Sequence, residues 1–221
     1  MNITNMPIKN IFLNLFALVA TAGLVAGCAS TGNDKAASTS TTLTKSADLI
    51  AKGNTLIDQS LTALNDLVTN SHPDLRKQFN AFNSAVDKLG STARDVSGKA
   101  EAMKSQGAAY FAKWDQEVAL MQNEDIRKRS LTRKNEVASQ FTRISQNYDA
   151  TKTAFQPFMS ELRDVQKFLS TDLTVGGLAA IKDVAAKANK DAVPLKKSVA
   201  KLAEEFKSLG LSMSPTGTVK K

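Results

Sequence analysis

The chain carries two side chains of distinctive reactivity, Cys28 and His72, and each is the only residue of its type. A zinc site or a disulfide framework needs several cysteines or histidines, so this composition excludes both. His72 stands next to Pro73 in a predicted turn, far along the sequence from any cluster of carboxylates, which favours a solvated side chain over a general base. We therefore predict no catalytic residue, no metal ligand and no cofactor, and a protein that is not an enzyme.

The segment before Cys28 has the composition of a secretory signal peptide. Residues 1–27 contain no Asp or Glu, and their apolar run from Ile11 to Ala22 is too short to cross the roughly 30 Å hydrocarbon core of a bilayer. Residues 24–28 have the sequence LVAGC, which resembles the lipobox of bacterial lipoproteins. The resemblance implies that the Cys28 thiol is acylated and that Cys28 becomes the new amino terminus.

The residues after Cys28 bear on its role and its location. A buried cysteine in a core helix is the alternative, and it is disfavoured because residues 29–45 are rich in Ser, Thr, Ala and Gly. The same composition predicts a disordered tether over residues 28–45. No Asp follows Cys28 directly, and resemblance to Gram-negative lipoproteins then implies the outer membrane. The predicted location is the cell envelope, with the chain anchored by lipid and facing the periplasm.

The charge of the chain favours anionic partners. Lys and Arg number 29 against 21 Asp and Glu, a formal net charge of +8. Removal of residues 1–27 takes away Lys9 and no acid, so 28 basic and 21 acidic side chains remain, a net charge of +7. Lipid head groups, acidic envelope polymers and acidic protein patches would all suit such a chain. We predict no nucleic-acid partner, because an exported protein rarely meets one and no recognition motif is present.

Apolar residues recur in alternating steps of three and four along most of the chain from residue 47 onward. Such a sustained period keeps one face of a helix towards a partner over many turns and is typical of coiled coils and helical bundles. Four stripes of this kind predict four helices, over approximately residues 46–70, 74–122, 125–170 and 177–209. The predicted fold is all-α, an antiparallel four-helix bundle over residues 46–209 with a disordered tail over residues 210–221.

The predicted helix lengths give the bundle a long projecting hairpin. Short connections make sequential helices antiparallel neighbours, and a first helix that starts at residue 46 covers the second only to about residue 100. We therefore predict that residues 103–136 project as a two-helix coiled-coil stalk. Pro157 and Pro194 fall inside the third and fourth stripes and predict local kinks there.

Residues 110–141 have the sequence YFAKWDQEVALMQNEDIRKRSLTRKNEVASQF. Together with Pro157 and a later RDVQKFLSTDL, this segment resembles an uncharacterised bacterial family of periplasmic helical proteins, known only as a domain of unknown function. The resemblance covers about residues 75–209. It implies an all-helical fold and gives no indication of an activity.

One segment gathers aromatic and basic side chains beyond the needs of a simple bundle. The candidate interaction residues are Phe111, Trp114, Arg127, Lys128, Arg129, Arg133 and Lys134. Trp114 keeps the stripe spacing and is more simply a core residue, and the basic run has nearby acids, so it is more simply a solvated surface. The sharper hypothesis is a hairpin end that binds an anionic envelope polymer, a lipid surface or an acidic protein.

These observations favour a non-enzymatic, lipid-anchored periplasmic coiled-coil protein that acts as a tether, scaffold or adaptor. The alternative is a helical binding module for an apolar small molecule, since Ala185, Ala188 and Ala192 leave room in the fourth stripe, although alanine also permits close helix approach. Coiled-coil surfaces self-associate readily, so a homo-oligomer is a further expected partner.

Overall fold

The computed structural model describes residues 31–70 and 73–215, and within these residues the chain forms five α-helices and no β-strand. The helices are α1 (Gly32–Thr69), α2 (Leu75–Ala119), α3 (Glu124–Thr171), α4 (Val175–Ala180) and α5 (Lys182–Met213). The predicted all-α fold is therefore confirmed. Cys28, the predicted signal peptide before it and His72 lie outside the described residues.

The first helix starts well before its apolar stripe. Thr31 and Asp34 form a capping box, in which the Asp34 carboxylate accepts a hydrogen bond from the Thr31 backbone N–H at 2.9 Å and Thr31 Oγ1 accepts one from the Asp34 N–H at 3.2 Å. Further along, Ser40 and Leu43 are buried. The predicted disordered tether is thus wrong for residues 32–45, which are helical.

Hydroxyl groups in this part of α1 find partners in their own helix or in a neighbouring one. Thr39 Oγ1 donates to the carbonyl oxygen of Lys35 at 2.8 Å, and Ser40 Oγ donates to that of Gly210 in α5 at 2.6 Å. A buried hydroxyl that keeps a hydrogen bond costs little free energy. A segment with the composition of a linker can therefore pack as a helix, which the compositional argument did not allow for.

The turn between α2 and α3 is short and capped. Asn123 precedes α3, and its side-chain Oδ1 accepts a hydrogen bond from the Ile126 backbone N–H at 3.0 Å. Glu124 and Asp125 occupy the first turn of α3, where negative charge is favourable. Helix α2 ends at Ala119 and α3 begins at Glu124, each within three residues of the boundary predicted from the sequence.

The connection from α3 to α5 contains the short helix α4, so the predicted fourth helix over residues 177–209 is divided in two. Thr174 caps α4, with its hydroxyl accepting a hydrogen bond from the Gly177 N–H at 3.1 Å. A Cβ atom on Gly177 would overlap the backbone carbonyl of Asp172, so this close approach requires glycine. At its other end α5 continues to Met213, so the predicted disordered tail is wrong for residues 210–213.

Each long helix packs against two antiparallel neighbours, in the cyclic order α1, α2, α3, α5. Polar contacts fix how α1 lies against α5. Asn54 Nδ2 donates to the carbonyl oxygen of Lys196 at 3.1 Å, and the side-chain amides of Asn65 and Asn189 exchange hydrogen bonds at 3.0 and 2.8 Å. The predicted antiparallel bundle of four long helices is therefore present.

The predicted two-helix stalk over residues 103–136 is wrong, because α1 accompanies α2 almost to its end. The backbone N–H of Gly32 donates to Glu117 Oε1 at 2.7 Å. On the other side of the bundle α5 accompanies α3, and Asn147 Nδ2 donates to Glu205 Oε2 at 2.8 Å. The hairpin is supported by α1 up to its last turn because α1 starts fourteen residues earlier than predicted, at Gly32 rather than 46.

The predicted stripes form the core of the bundle. Phe82 and Leu89 of α2 and Ile144 and Leu162 of α3 are at most 2% exposed. Helical backbone continues through Pro157 and Pro194. The kinks predicted at these two prolines stay predictions.

Proline in place of Lys45 tests the early start of α1. The Lys45 side chain is exposed, but a proline there removes a helix hydrogen bond and crowds the preceding turn, which should lower the free energy of unfolding by about 3 kcal/mol. Urea unfolding followed by circular dichroism measures the change. The control Lys45→Ala should alter stability by less than about 0.5 kcal/mol. Equal unfolding midpoints for Lys45→Pro and Lys45→Ala would mean that residues 32–44 add nothing to the fold.

Candidate functional site

The aromatic side chains near the end of the hairpin hold α2 and α3 together. Trp114 is half-buried, and its indole N–H donates to Ser130 Oγ at 2.8 Å. The rings of Trp114 and Tyr110 lie 5.3 Å apart between centroids, and Phe111 meets Phe141 edge-on at 5.7 Å. Phe111 and Trp114, two of the candidate interaction residues, are therefore engaged mainly in packing between the two helices.

Tyr110 is buried at the centre of this aromatic group. Tyr110 is 9% exposed, and burial raises the pKa of its phenol, although the positive charge of Arg133 acts in the opposite direction. One turn earlier, a Cβ atom on Gly107 would overlap the Phe141 ring, so glycine permits the close contact of α2 with α3. This aromatic group is a structural support for the end of the hairpin.

The five basic candidate residues divide into two groups. Three form ion pairs, which are Lys128 with Glu124 at 3.1 Å, Arg133 with Glu136 at 3.3 Å, and Lys134 with Asp115. Arg127 and Arg129 are exposed, and neither forms an ion pair with any residue that the structure describes. The positive charge that is available to a partner therefore lies mainly on Arg127 and Arg129.

Exposed apolar side chains accompany these two arginines. We call residues 118–133 the tip; it comprises the last residues of α2, the turn and the first turns of α3. Leu120, Ile126 and Leu131 in the tip are 77%, 53% and 38% exposed. Sequence reasoning missed them as site residues, and the signal that could have found them is that they fall off the apolar stripes beside the basic run.

The start of α1 lies beside the tip. The hydrogen bond from the Gly32 N–H reaches Glu117 Oε1, one turn of α2 before Leu120. A Cβ atom on Gly32 would overlap the Glu117 carboxylate, so a larger residue at this position would require the Glu117 side chain to shift. Sequence reasoning did not bring these segments together, because it assigned residues 28–45 to a disordered tether.

The tip combines exposed cationic and exposed apolar side chains. Cationic side chains attract anionic head groups, and exposed Leu and Ile side chains lose contact with water when they enter an apolar layer.

Within residues 31–70 and 73–215 no cluster of three His, Cys, Asp or Glu side chains could hold a metal ion. In the same ranges no helix is both long and apolar enough to cross a membrane.

Comparison with known proteins identifies a family. A family model described as "Protein of unknown function (DUF2959)" matches residues 28–209, about four fifths of the 221 residues. Searches of curated proteins and of solved structures gave no match. The matched region begins at Cys28 and includes the tip, and its description states no activity.

The contact between Trp114 and Ser130 can be measured in a double-mutant cycle. Trp114→Phe and Ser130→Ala should each destabilise the protein, and the double variant should lose about 1 kcal/mol less than the sum of the two, because they share one hydrogen bond. Thr132→Ala is the control, since Thr132 Oγ1 donates to the carbonyl oxygen of Lys128 in its own helix. It should combine additively with Trp114→Phe. Additive effects for Trp114 and Ser130 as well would contradict the contact.

Proposed function

We propose that this chain, which belongs to the family described as protein of unknown function (DUF2959), is a non-enzymatic structural protein of the cell envelope. Acyl chains on Cys28 anchor it, the tip lies on the anchoring membrane, and the bundle serves as a scaffold or adaptor for other envelope components. The observation that carries the proposal is the hydrogen bond between Gly32 and Glu117, since it holds the start of α1 beside the tip.

The distance from Cys28 to the tip is limited by the length of the chain between them. Three residues lie between Cys28 and Gly32, which makes four steps of about 3.8 Å between consecutive Cα atoms, so the Cα atoms of Cys28 and Gly32 are within about 15 Å of each other. A lipid on Cys28 therefore enters the membrane close to Leu120 and Ile126. The anchor and the exposed apolar side chains belong to the same end of the bundle.

The side chains of the tip suit contact with that membrane. Arg127 and Arg129 have no acidic partner among the described residues, and each basic residue near an anionic bilayer contributes about 1 kcal/mol of attraction. Leu120 and Ile126 on either side of the turn can enter the interfacial layer. The acyl chains on Cys28 hold the protein at one point of the membrane, and a second contact through the tip would limit its rotation about that anchor.

In this orientation the tip contacts the membrane that carries the anchor. With the tip on the membrane, the opposite end of the bundle is directed into the periplasm. The 48 residues of α3 span about 70 Å at about 1.5 Å per residue. The connections from α1 to α2 and from α3 to α5 would then be presented to partners at that height.

The predicted signal peptide and the composition around Cys28 support the proposed location. The LVAGC segment supplies the thiol that acylation needs, and the family match begins at Cys28 and leaves out residues 1–27. The absence of an Asp directly after Cys28 favours the outer membrane over the inner one. The mature protein would thus face the periplasm.

Acylation of Cys28 is tested directly by the mass of the purified protein. The chain should lack residues 1–27 and carry a diacylglyceryl group on Cys28, and it should fractionate with membranes. Cys28→Ser removes the thiol and should leave the chain unacylated. An unmodified cysteine at position 28 in the membrane-derived protein would contradict the proposal.

The orientation of the tip is tested by its depth in vesicles. Cys28 is the only cysteine, so after its acylation a cysteine introduced by Ile126→Cys can be labelled alone with a nitrobenzoxadiazole group. Vesicles of phosphatidylethanolamine and phosphatidylglycerol with spin-labelled head groups should quench this fluorophore. Val175→Cys is the matched control, because Val175 is 80% exposed at the other end of the bundle, and its label should not be quenched. Stronger quenching at Val175 would reverse the proposed orientation.

The contribution of charge is tested in the same labelled protein. Arg127→Glu together with Arg129→Glu should reduce the quenching at residue 126, and the difference should shrink as salt is added. Lys190→Glu together with Lys197→Glu changes the net charge equally on an exposed face of α5 and should have no effect. An equal effect of both pairs would show that net charge, rather than the tip, determines binding.

A further inference from the structure

A cleft opens between α2 and α3 in the middle of the bundle. Its volume is about 390 Å³, within the range of about 300–1,000 Å³ that is usual for small-molecule sites. Apolar side chains from all four long helices line it, among them Ile57, Leu89, Phe155, Met159 and Leu202. Most of its surface is therefore suited to a hydrocarbon ligand.

The cleft lies at the level where the stripe residues of α2 and α3 are only partly buried. Ala93 and Val96 of α2 and Thr151 and Phe155 of α3 keep the stripe spacing, yet each is only half-buried. Small side chains at this level, with Gly53 of α1 opposite, leave the space between the four helices unfilled. The gap thus follows from residue size at one level of an otherwise packed core.

Basic side chains surround the opening. Arg94, Lys152 and Arg163 line the cleft and are exposed, and no Asp or Glu of the described residues lines it. The Cβ position of Gly90 lies 3.1 Å from Arg163 Nη2 and 3.9 Å from Arg94 Nη1, so both guanidinium groups converge on this glycine. Neither arginine forms an ion pair within the described chain. Two like charges that meet without a carboxylate between them form a site for an anion.

We propose that the cleft binds a long-chain fatty acid. The carboxylate lies between Arg94 and Arg163, with Lys152 on the same rim, and the hydrocarbon chain extends inward along Phe155 and Met159. Guanidinium groups bind carboxylates through paired hydrogen bonds, and the flexible Met159 side chain can adapt to the chain. A single acyl chain with one anionic head fits a cleft that has one apolar interior and one cationic rim.

The cleft lies elsewhere than the part of the fourth stripe that the sequence suggested for an apolar ligand. Ala185, Ala188 and Ala192 are at most 3% exposed and do not line the cleft. They serve close contact between α5 and its neighbours instead.

Binding is tested with cis-parinaric acid, a fluorescent fatty acid, and the full chain carrying Cys28→Ser so that no covalent lipid competes. Its fluorescence should rise on binding, and palmitate should displace it. Palmityl alcohol, which has the same chain length and no charge, should displace it at least about tenfold less well, because the charge-assisted hydrogen bonds are lost. No fluorescence change, or equal displacement by the alcohol, would overturn the proposal.

Filling the cleft gives a second test. Gly53 lines the cleft, and a Cβ atom there would meet no atom within 4 Å, so Gly53→Leu should fill the space and abolish binding while circular dichroism stays unchanged. Gly98→Leu is the matched control, because Gly98 on α2 has equally open surroundings and does not line the cleft. It should bind as the parent chain does. Unchanged binding by Gly53→Leu would place the ligand elsewhere and overturn the proposal.

The rim gives a third test that does not alter the core. Arg94→Gln together with Arg163→Gln should weaken palmitate binding at least about tenfold, whereas Lys190→Gln together with Lys197→Gln should leave it unchanged. Tighter displacement by phosphatidylglycerol than by palmitate would show a two-chain lipid and contradict the single-chain ligand. These measurements need neither the anchor nor a membrane, so their failure leaves the proposed role of the tip intact.

Discussion

The axial register of α1 against its neighbours α2 and α5 is the constraint on which the rest of the structure depends. Apolar stripes alone allow antiparallel helices to slide by a heptad, because each shift still pairs apolar with apolar residues. Polar contacts remove that freedom, since Ser40 must reach the Gly210 carbonyl and Asn65 must pair with Asn189. A shift would leave these groups buried without partners, at about 1–3 kcal/mol each.

This axial register determines which helix ends lie side by side. Because α1 extends to Gly32 and contacts Glu117, the amino-terminal end of the helical domain and the α2–α3 turn form one end of the bundle. Had α1 begun at residue 46, the turn would have stood about 21 Å beyond it, at about 1.5 Å per residue over fourteen residues. The position of a capping box at Thr31 thus decides whether an anchor at Cys28 lies near the tip or far from it.

The sequence predicted the elements that depend on periodicity and missed those that depend on size and composition. The stripes through Phe82 and Ile144 identified the long helices and their core faces, because heptad spacing has one structural interpretation over many turns. Composition misassigned residues 32–45, since Ser and Thr serve linkers and helices alike when their hydroxyls find acceptors. The cleft was also missed, because spacing shows which way Ala93 points but not whether the side chains facing it fill the space.

The cleft lies too far from the tip for one acyl chain to occupy the cleft and the bilayer at the same time. Val96 at the cleft precedes the end of α2 at Ala119 by 23 residues, a distance of about 35 Å along the helix. That exceeds the whole hydrocarbon core of a bilayer, about 30 Å, so a single acyl chain cannot remain in the membrane beneath the tip while it occupies the cleft. A fatty acid bound there has left the bilayer entirely, and its hydrocarbon must be shielded by the protein alone. The apolar lining contributed by all four long helices is suited to that requirement, which agrees with a proposed site inside the bundle rather than at the end proposed to meet the membrane.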